Sequence, residues 1–142
     1  MEIRIKYHDP DLERLSAITI GDWIDLRAAE TVELHQGDFK YISLGVSMKL
    51  PEGYEAHVAP RSSSFQKWGI LQVNSVGVVD NSYSGTNDIW KMPVYATRDA
   101  IINKNDRICQ FRIMQSMPEV TFTEVNELDG QDRGGFGSTG SR

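Results

Sequence analysis

Tyr54-Glu55-Ala56-His57-Val58-Ala59 alternates one set of side chains, Tyr54, Ala56 and Val58, with another, Glu55, His57 and Ala59. Successive side chains of an extended chain point to opposite faces, so a repeat of two marks a half-buried strand. The same reading extends outward from this stretch. Residues 2–7, 31–34, 41–50, 70–73, 88–97 and 107–114 are rich in Val, Ile, Tyr, Phe and Thr and read as strands. Val120, Phe122 and Val125, interleaved with Thr121, Thr123 and Glu124, predict one more. Turn chemistry separates them at Gln36-Gly37-Asp38, Pro51-Glu52-Gly53, Ser84-Gly85-Thr86-Asn87 and Asn103-Lys104-Asn105-Asp106. Many short strands with polar turns predict an all-β sandwich or barrel, a jelly roll. Helix is confined to 63–68, with a Ser supplying the N-cap oxygen and Gly69 at the left-handed stop, and to one turn over 11–15 after Pro10.

The chain has 142 residues, 39% hydrophobic and 25% charged. That is one ordinary domain, able to bury roughly 70% of the surface its unfolded chain exposes, and wholesale disorder is excluded. No apolar run approaches the ~20 residues a membrane-spanning helix needs, and the first residues lack the apolar stretch of a secretory leader. Cys109 is the single cysteine, so no internal disulfide forms, and it reads as a small core residue rather than a nucleophile. His8, His35 and His57 have no metal-ligand spacing and read as ordinary surface or strand residues. A reducing, cytoplasmic setting with no membrane partner is expected. The net charge of −5 argues against a protein that coats nucleic acid, yet a few Arg residues and backbone amides can still hold a small polyanion. The Gly-Lys-Ser/Thr phosphate loop is absent.

One β domain is expected over 1–128, followed by a mobile glycine-rich C-terminal segment over 129–142. That segment holds five of the twelve glycines, with Phe136 its one large apolar side chain. It reads either as a disordered tail or as a lid whose amides wrap phosphates while Phe136 anchors it.

Four sites carry candidate chemistry. Arg61-Ser62-Ser63-Ser64 opens the helix, and reads either as a capped helix or as an anion site built from amides, hydroxyls and a guanidinium. In Val76-Gly77-Val78-Val79-Asp80-Asn81-Ser82-Tyr83-Ser84-Gly85 an apolar strand ends in an acid with an aromatic three residues on. That describes a β-hairpin whose open edge offers N–H and C=O groups to a planar base, with Tyr83 to stack on a ring or sugar and Asp80 to take a proton from water; the alternative is a hairpin with a solvated Asp. Asp25, between apolar neighbours, is either a buried structural carboxylate or one that faces a metal. Gln110 either points to solvent or lends its amide to a site.

In order, Asp22-Trp23-Ile24-Asp25-Leu26-Arg27-Ala28, Pro60-Arg61-Ser62-Ser63, Asn74 to Gly85, Asn105-Asp106-Arg107-Ile108-Cys109-Gln110 and Arg133-Gly134-Gly135-Phe136-Gly137-Ser138-Thr139-Gly140 resemble the five ordered motifs of the homotrimeric dUTPases. They span 22–140. The resemblance implies a β-clip or distorted jelly roll with one short helix that forms a homotrimer, each site being built from all three subunits. It also implies Mg²⁺-assisted hydrolysis of dUTP to dUMP and pyrophosphate by water attacking the α-phosphorus, a dUTP diphosphatase activity that limits uracil incorporation into DNA and supplies dUMP.

By matching position, Asp80 orients and deprotonates the water, and Gln110, Arg61, Ser62 and Ser63 hold phosphates or that water. The backbone from Asn74 through Gly77 and Val79 reads uracil, Tyr83 packs under the deoxyribose, and Asp25 reaches the hydrated metal through water. Arg133, Phe136, Gly137 and Ser138 belong to the lid, Arg133 towards the γ-phosphate and Phe136 over the base. Trp23-Ile24 and Asn105 stand where the family usually has Gly-Tyr and Gly, and the fifth motif is two residues shorter than usual, which leaves Trp90 as another aromatic to cover the base. A dCTP deaminase shares the fold, but no Glu follows the hairpin in Asp88-Ile89-Trp90-Lys91-Met92-Pro93 to run amine chemistry. A third reading is a nucleotide-switched binding protein with a regulatory partner.

Overall fold

The computed structural model describes residues 1–16, 20–137 and 140. Eleven strands and one helix are assigned among them: β1 (Arg4–Tyr7), β2 (Ile24–Arg27), β3 (Val32–Leu34), β4 (Phe39–Ser43), β5 (Val46–Lys49), β6 (Tyr54–Pro60), α1 (Ser64–Trp68), β7 (Ile70–Gln72), β8 (Gly77–Val79), β9 (Lys91–Ala96), β10 (Ala100–Ile102) and β11 (Arg107–Gln115). They form a four-stranded sheet β2-β11-β6-β8, a three-stranded sheet β4-β9-β7, and the pairs β1-β5 and β3-β10. The four-stranded sheet positions the site. β6 lies inside it, antiparallel to β11 from Tyr54↔Gln115 to Pro60↔Cys109 and to β8 at Ala56↔Val79, His57↔Val78 and Val58↔Gly77.

The alternation read from β6 sends Ala56 and Val58 into the core and leaves Glu55, His57 and Ala59 half-buried on the other face. Trp90 and Phe111 join the layers at the centre, edge to face with ring centroids 5.3 Å apart. Leu26, Ile42, Met92, Val94 and Ile108 pack around them at 0% exposure, each such side chain contributing roughly 1.5–3 kcal/mol of burial. Cys109 is also fully buried, and burial pushes its thiol pKa far above the usual value, which removes it as a nucleophile.

Several expectations are corrected. Residues 41–50 form not one strand but β4 and β5, because the chain bends at Leu44-Gly45 with Gly45 at φ 66°. β2 and β10 were not foreseen. The strand expected around Val120, Phe122 and Val125 does not form; this stretch finds no strand partner among the described residues, and Phe122 is 95% exposed. Alternation specifies a strand only where a neighbour supplies the ladder.

The expected hairpin over 76–85 is a single three-residue edge strand, β8, followed by irregular turns, because its partner is β6 and not a second arm. Ser63 makes no side-chain cap: its backbone is already helical, and the adjacent Ser64 hydroxyl accepts from the Arg61 N–H and donates to the Ile108 carbonyl. Gly69 does take the left-handed stop, at φ 65°. The 11–15 segment has a turn at Asp11 and no helix.

A Cβ on Gly45 would lie 2.8 Å from both Ala29 Cβ and Leu12 Cδ2, at a backbone angle side chains avoid. Gly45→Ala is therefore expected to cost roughly 1–3 kcal/mol, read as a lower midpoint in urea unfolding with an unchanged slope.

Candidate active site

The residues singled out by sequence fall into two groups on one sheet. A cleft of about 450 Å³ is lined by Asn74, Gly77, Val78, Val79, Asp80 and Tyr83, with Trp90 and Gln72 in its wall. β8 is the edge of the sheet, so among the described residues the backbone of Gly77 to Val79 has β6 on one side and no strand on the other. Val78 is 62% exposed on that edge. An unpaired edge of alternating N–H and C=O groups can bond a planar heterocycle as it would another strand. Gly77 permits close approach here, since a Cβ would lie 3.3 Å from Asn74 Nδ2 and Val58 Cβ.

Just past β8 the chain folds on Asp80. Its Oδ2 accepts from the Ser82 backbone N–H at 2.9 Å and from the Ser82 hydroxyl. Both bonds favour the charged form, so the hydroxyl first and the amide second hold the Asp80 carboxyl below the usual aspartate value. With Oδ2 so engaged, Oδ1 is the oxygen left to polarise a water. Tyr83 is 42% exposed, and its hydroxyl donates to the Ile89 carbonyl at 3.1 Å, which fixes the ring beside the acid.

The second group sits across β2, β11 and the end of β6. Asp25 on β2 faces Gln110 on β11, and Gln110 faces Ala59 on β6. Arg61 Nε lies 3.1 Å from Asp25 Oδ1 and Arg107 Nη1 lies 3.2 Å from Asp25 Oδ2, so one carboxylate orders two guanidinium groups. Arg61 also donates to the Arg107 carbonyl, and Gln110 Nε2 donates to the Pro60 carbonyl at 3.1 Å. Ser62 is exposed and Ser63 half-buried beside them. Arg107 was missed by sequence reasoning; its place at the head of Arg107-Ile108-Cys109-Gln110, opposite Arg27, was the available signal.

Asp25 is thus neither a fully buried carboxylate nor the centre of a metal cage. Among the described residues no group of three or more His, Cys, Asp or Glu converges. The chain fits a divalent ion carried by its ligand and reached through water, and does not fit one held by several protein ligands.

β2 and β8 are the two outer strands of a four-stranded sheet, so Asp25 stands three strand spacings, about 14 Å, from β8, while Gln110 is on β11, two strands away, and Arg61 follows the end of β6, the strand next to β8. Of the lid residues, Phe136 is fully exposed with φ 47° and Gly137 follows at φ 90°, while Arg133 lies in a stretch with Glu127 to Asp132 and not in the cleft. Ser138 lies outside the described residues. Trp90 is only 2% exposed, which makes it a wall of the cleft and not a cover.

The dUTPase family model matches residues 23–140. The chain is 56% identical over 142 residues to the SPbeta prophage-derived deoxyuridine 5'-triphosphate nucleotidohydrolase YosS of Bacillus subtilis, covering all of both chains. It is 40% identical over 129 residues to the deoxyuridine 5'-triphosphate nucleotidohydrolase of Finegoldia magna, covering 86% of this chain and 87% of that one. The chain belongs to the dUTPase family. Its fold matches the crystal structure of a Streptococcus mutans dUTPase with a TM-score of 0.72 at 20% identity, over 82% of this chain and 98% of that one. It also matches a mutant dUTPase of the S. aureus phage phi11, described for its coordination of a structural Mg(II) ion, with a TM-score of 0.76 at 18% identity over 90% and 100%.

The Ser82 hydroxyl and backbone N–H stabilise the ionised carboxylate of Asp80, and loss of the hydroxyl, the larger of the two causes, raises its pKa. In Ser82→Ala the Asp80 carboxyl, followed by side-chain carbon NMR, is expected to titrate at higher pH than in the parent; an unchanged or lower midpoint removes Ser82 as the cause. The sign for stability follows: this depressed pKa contributes stability above the unfolded value, lost as pH falls through the folded one.

Proposed function

We infer that this protein is a dUTP diphosphatase, hydrolysing dUTP to dUMP and pyrophosphate and so limiting uracil incorporation into DNA. The observation that carries the reading is that Asp80, Tyr83 and the open edge of β8 share one cleft. The five motifs and the full-length likeness to YosS support the substrate. No feature favours a dCTP deaminase, and none favours a nucleotide-switched partner over catalysis.

The geometry supports the following roles. The edge from Asn74 through Gly77 to Val79 presents its donors and acceptors to uracil, and its closeness rejects the thymine methyl. Tyr83, pinned by Ile89, packs under the deoxyribose and leaves no room for a 2′-hydroxyl. Asp80, ionised at neutral pH, uses Oδ1 to orient the water and take its proton as it attacks the α-phosphorus, a role generally worth ~10²–10⁴-fold. Arg61, Ser62, Ser63 and Gln110 bind phosphate oxygens, and Arg61 must exchange part of its pairing with Asp25 for the ligand. When bound, Mg²⁺ neutralises charge on the triphosphate, and Asp25 is the carboxylate within reach of its water shell.

Within one chain Asp25 and the Asp80 cleft belong to opposite edges of the four-stranded sheet, β2 and β8. That separation supports a homotrimer in which the cleft of one copy meets Arg61 and Gln110 of another. The unpartnered stretch after β11, with Met117, Phe122 and Leu128 each more than three-quarters exposed, supports the same assembly, because isolated monomers rarely expose such a series. Residues 129–142 act as the lid of the domain over 1–128, Arg133 towards the γ-phosphate and Phe136, with Gly137 and Ser138, over the base. No helix among the described residues is long and apolar enough to cross a membrane, and we read the setting as cytoplasmic.

Pyrophosphate release with Mg²⁺, comparing dUTP with dTTP, dCTP and UTP, tests the reading; equal turnover of all four, or none of dUTP, refutes it. Asp80→Asn is expected to bind a non-hydrolysable dUTP analogue as the parent does while kcat falls at least ~10²-fold. Near-normal kcat would free Asp80 of its role. Removing residues 129–142 is expected to leave the sedimentation coefficient that of a trimer and to reduce turnover by more than about tenfold; full activity without them would make the segment a mere tail.

A further inference from the structure

β8 is three residues long, has a strand on one side only, and carries both the reading edge and, one residue on, the Asp80 carboxylate. So short a ladder fixes little by itself, because a catalytic group displaced by an ångström or less loses much of its effect. Two side-chain amides flank it. On the entering side, Gln72 Nε2 donates to the Val58 carbonyl at 2.9 Å and to the Ser75 carbonyl at 3.3 Å. On the leaving side, Asn81 Nδ2 donates to the Pro51 and Tyr54 carbonyls, each at 2.8 Å. Each amide spends both its protons on two backbone carbonyls. Both rest on β6, at Tyr54 and Val58, and the β6 residues that pair with β8 lie between or at these anchors.

Neither amide is there for packing alone. Gln72 is 8% exposed and its Oε1 is buried with no partner, an unfavourable state that a Leu or Met of similar size would avoid. What offsets it is the pair of bonds from Nε2. One of them, with the Ser75 N–H donating back to the Gln72 carbonyl at 3.1 Å, holds Ser75 at φ 56°, a left-handed conformation that a serine keeps only where its surroundings over-determine it. The turn so fixed carries Asn74 over Gly77. Asn81, in turn, ties the residue next to Asp80 to the loop before β6, so the acid cannot swing with its own turn.

We propose that Gln72 and Asn81 are paired positioning residues that clamp β8 to β6, Gln72 setting the edge that reads the base and Asn81 setting the aim of the Asp80 carboxylate. The assignment of jobs rests on the dUTP reading above; the clamp does not. Each amide acts through backbone it holds and touches no reacting atom, so its effect falls on one kinetic constant and not on both.

Gln72→Met and Asn81→Leu keep the approximate side-chain volume and remove the donors. In the full chain, amide hydrogen exchange is expected to quicken at least about tenfold over 73–77 in the first and over 80–83 in the second, with the β4 and β9 amides unchanged. With dUTP, Gln72→Met raises KM about tenfold and narrows the preference over dCTP, while Asn81→Leu lowers kcat about tenfold or more at an unchanged KM. Exchange over 73–83 that matches the parent in both variants overturns the clamp. Parallel loss of kcat and KM in both, tracking a lower melting temperature, overturns the division of labour and leaves a purely structural role. If either variant does not fold, Gln72→Leu and Asn81→Ala give the same two readouts. A parent chain inactive on dUTP sinks the functional reading, while the exchange result still decides the clamp.

Discussion

Everything that matters for the site is hung on β6. Its seven residues pair with β11 along their whole length and with β8 over three, and its carbonyls at Tyr54 and Val58 receive the Asn81 and Gln72 amides. Its last carbonyl, at Pro60, receives Gln110, and the chain then turns directly into Arg61. One strand therefore sets the position of the cleft on one flank and of the guanidinium cluster on the other. Its alternation is what makes this possible, because Ala56 and Val58 are locked into a close-packed core while the backbone edge is left to bond laterally. A slip of one residue would turn every one of these side chains to the wrong face.

An acidic protein that binds a tetraanionic ligand has an electrostatic problem, and the structure answers it locally. Arg61 and Arg107 both pair with Asp25, so the carboxylate offsets the repulsion between two neighbouring guanidinium groups. An approaching phosphate competes with one carboxylate for two guanidiniums, and only part of each pairing has to be given up. These groups are a quarter to a half exposed, so water screens them and the exchange is inexpensive. The net charge of the chain says little about such a site; the placement of three side chains on two adjacent strands and the end of a third says nearly all of it.

Where the sequence was legible, a local rule and the tertiary environment agreed. β6 and β9 alternate because one face is buried, and Gly69 ends a helix because no side chain has to be accommodated at φ 65°. Where it was not, a partner lay elsewhere. Gly45 breaks what reads as one strand because Leu12 and Ala29 crowd it, a contact no local pattern announces, though a lone glycine inside a strand pattern was a signal of the bend. Ser63 looked like a cap, but the serine one position on had a buried carbonyl, Ile108, to bond across the fold. The motifs contain residues that the fold brings together in the cleft, Asn74, Asp80 and Tyr83, and two of the three charged groups of the cluster, Asp25 and Arg61, but Arg107 was not singled out. That one set gathers at the β8 edge and the other across β2, β11 and the end of β6 is a matter of strand order, which spacing along the chain does not encode.

An open strand edge is ordinarily a hazard, since any extended chain can add to it. Here the hazard is limited by length: β8 offers three residues, and the backbone leaves the strand direction at once, through left-handed Ser75 before it and the Asp80-Ser82 turn after it. A peptide would find too few ladder positions to bind. A planar base with one donor between two acceptors needs no more than that, and its complement is supplied by backbone whose spacing the sheet already fixes. Discrimination by such an edge comes from position more than from strength, because a misplaced hydrogen bond to a buried partner costs more than a good one gains. The stiffness of the residues flanking β8 is therefore as much a part of recognition as the groups that touch the ligand.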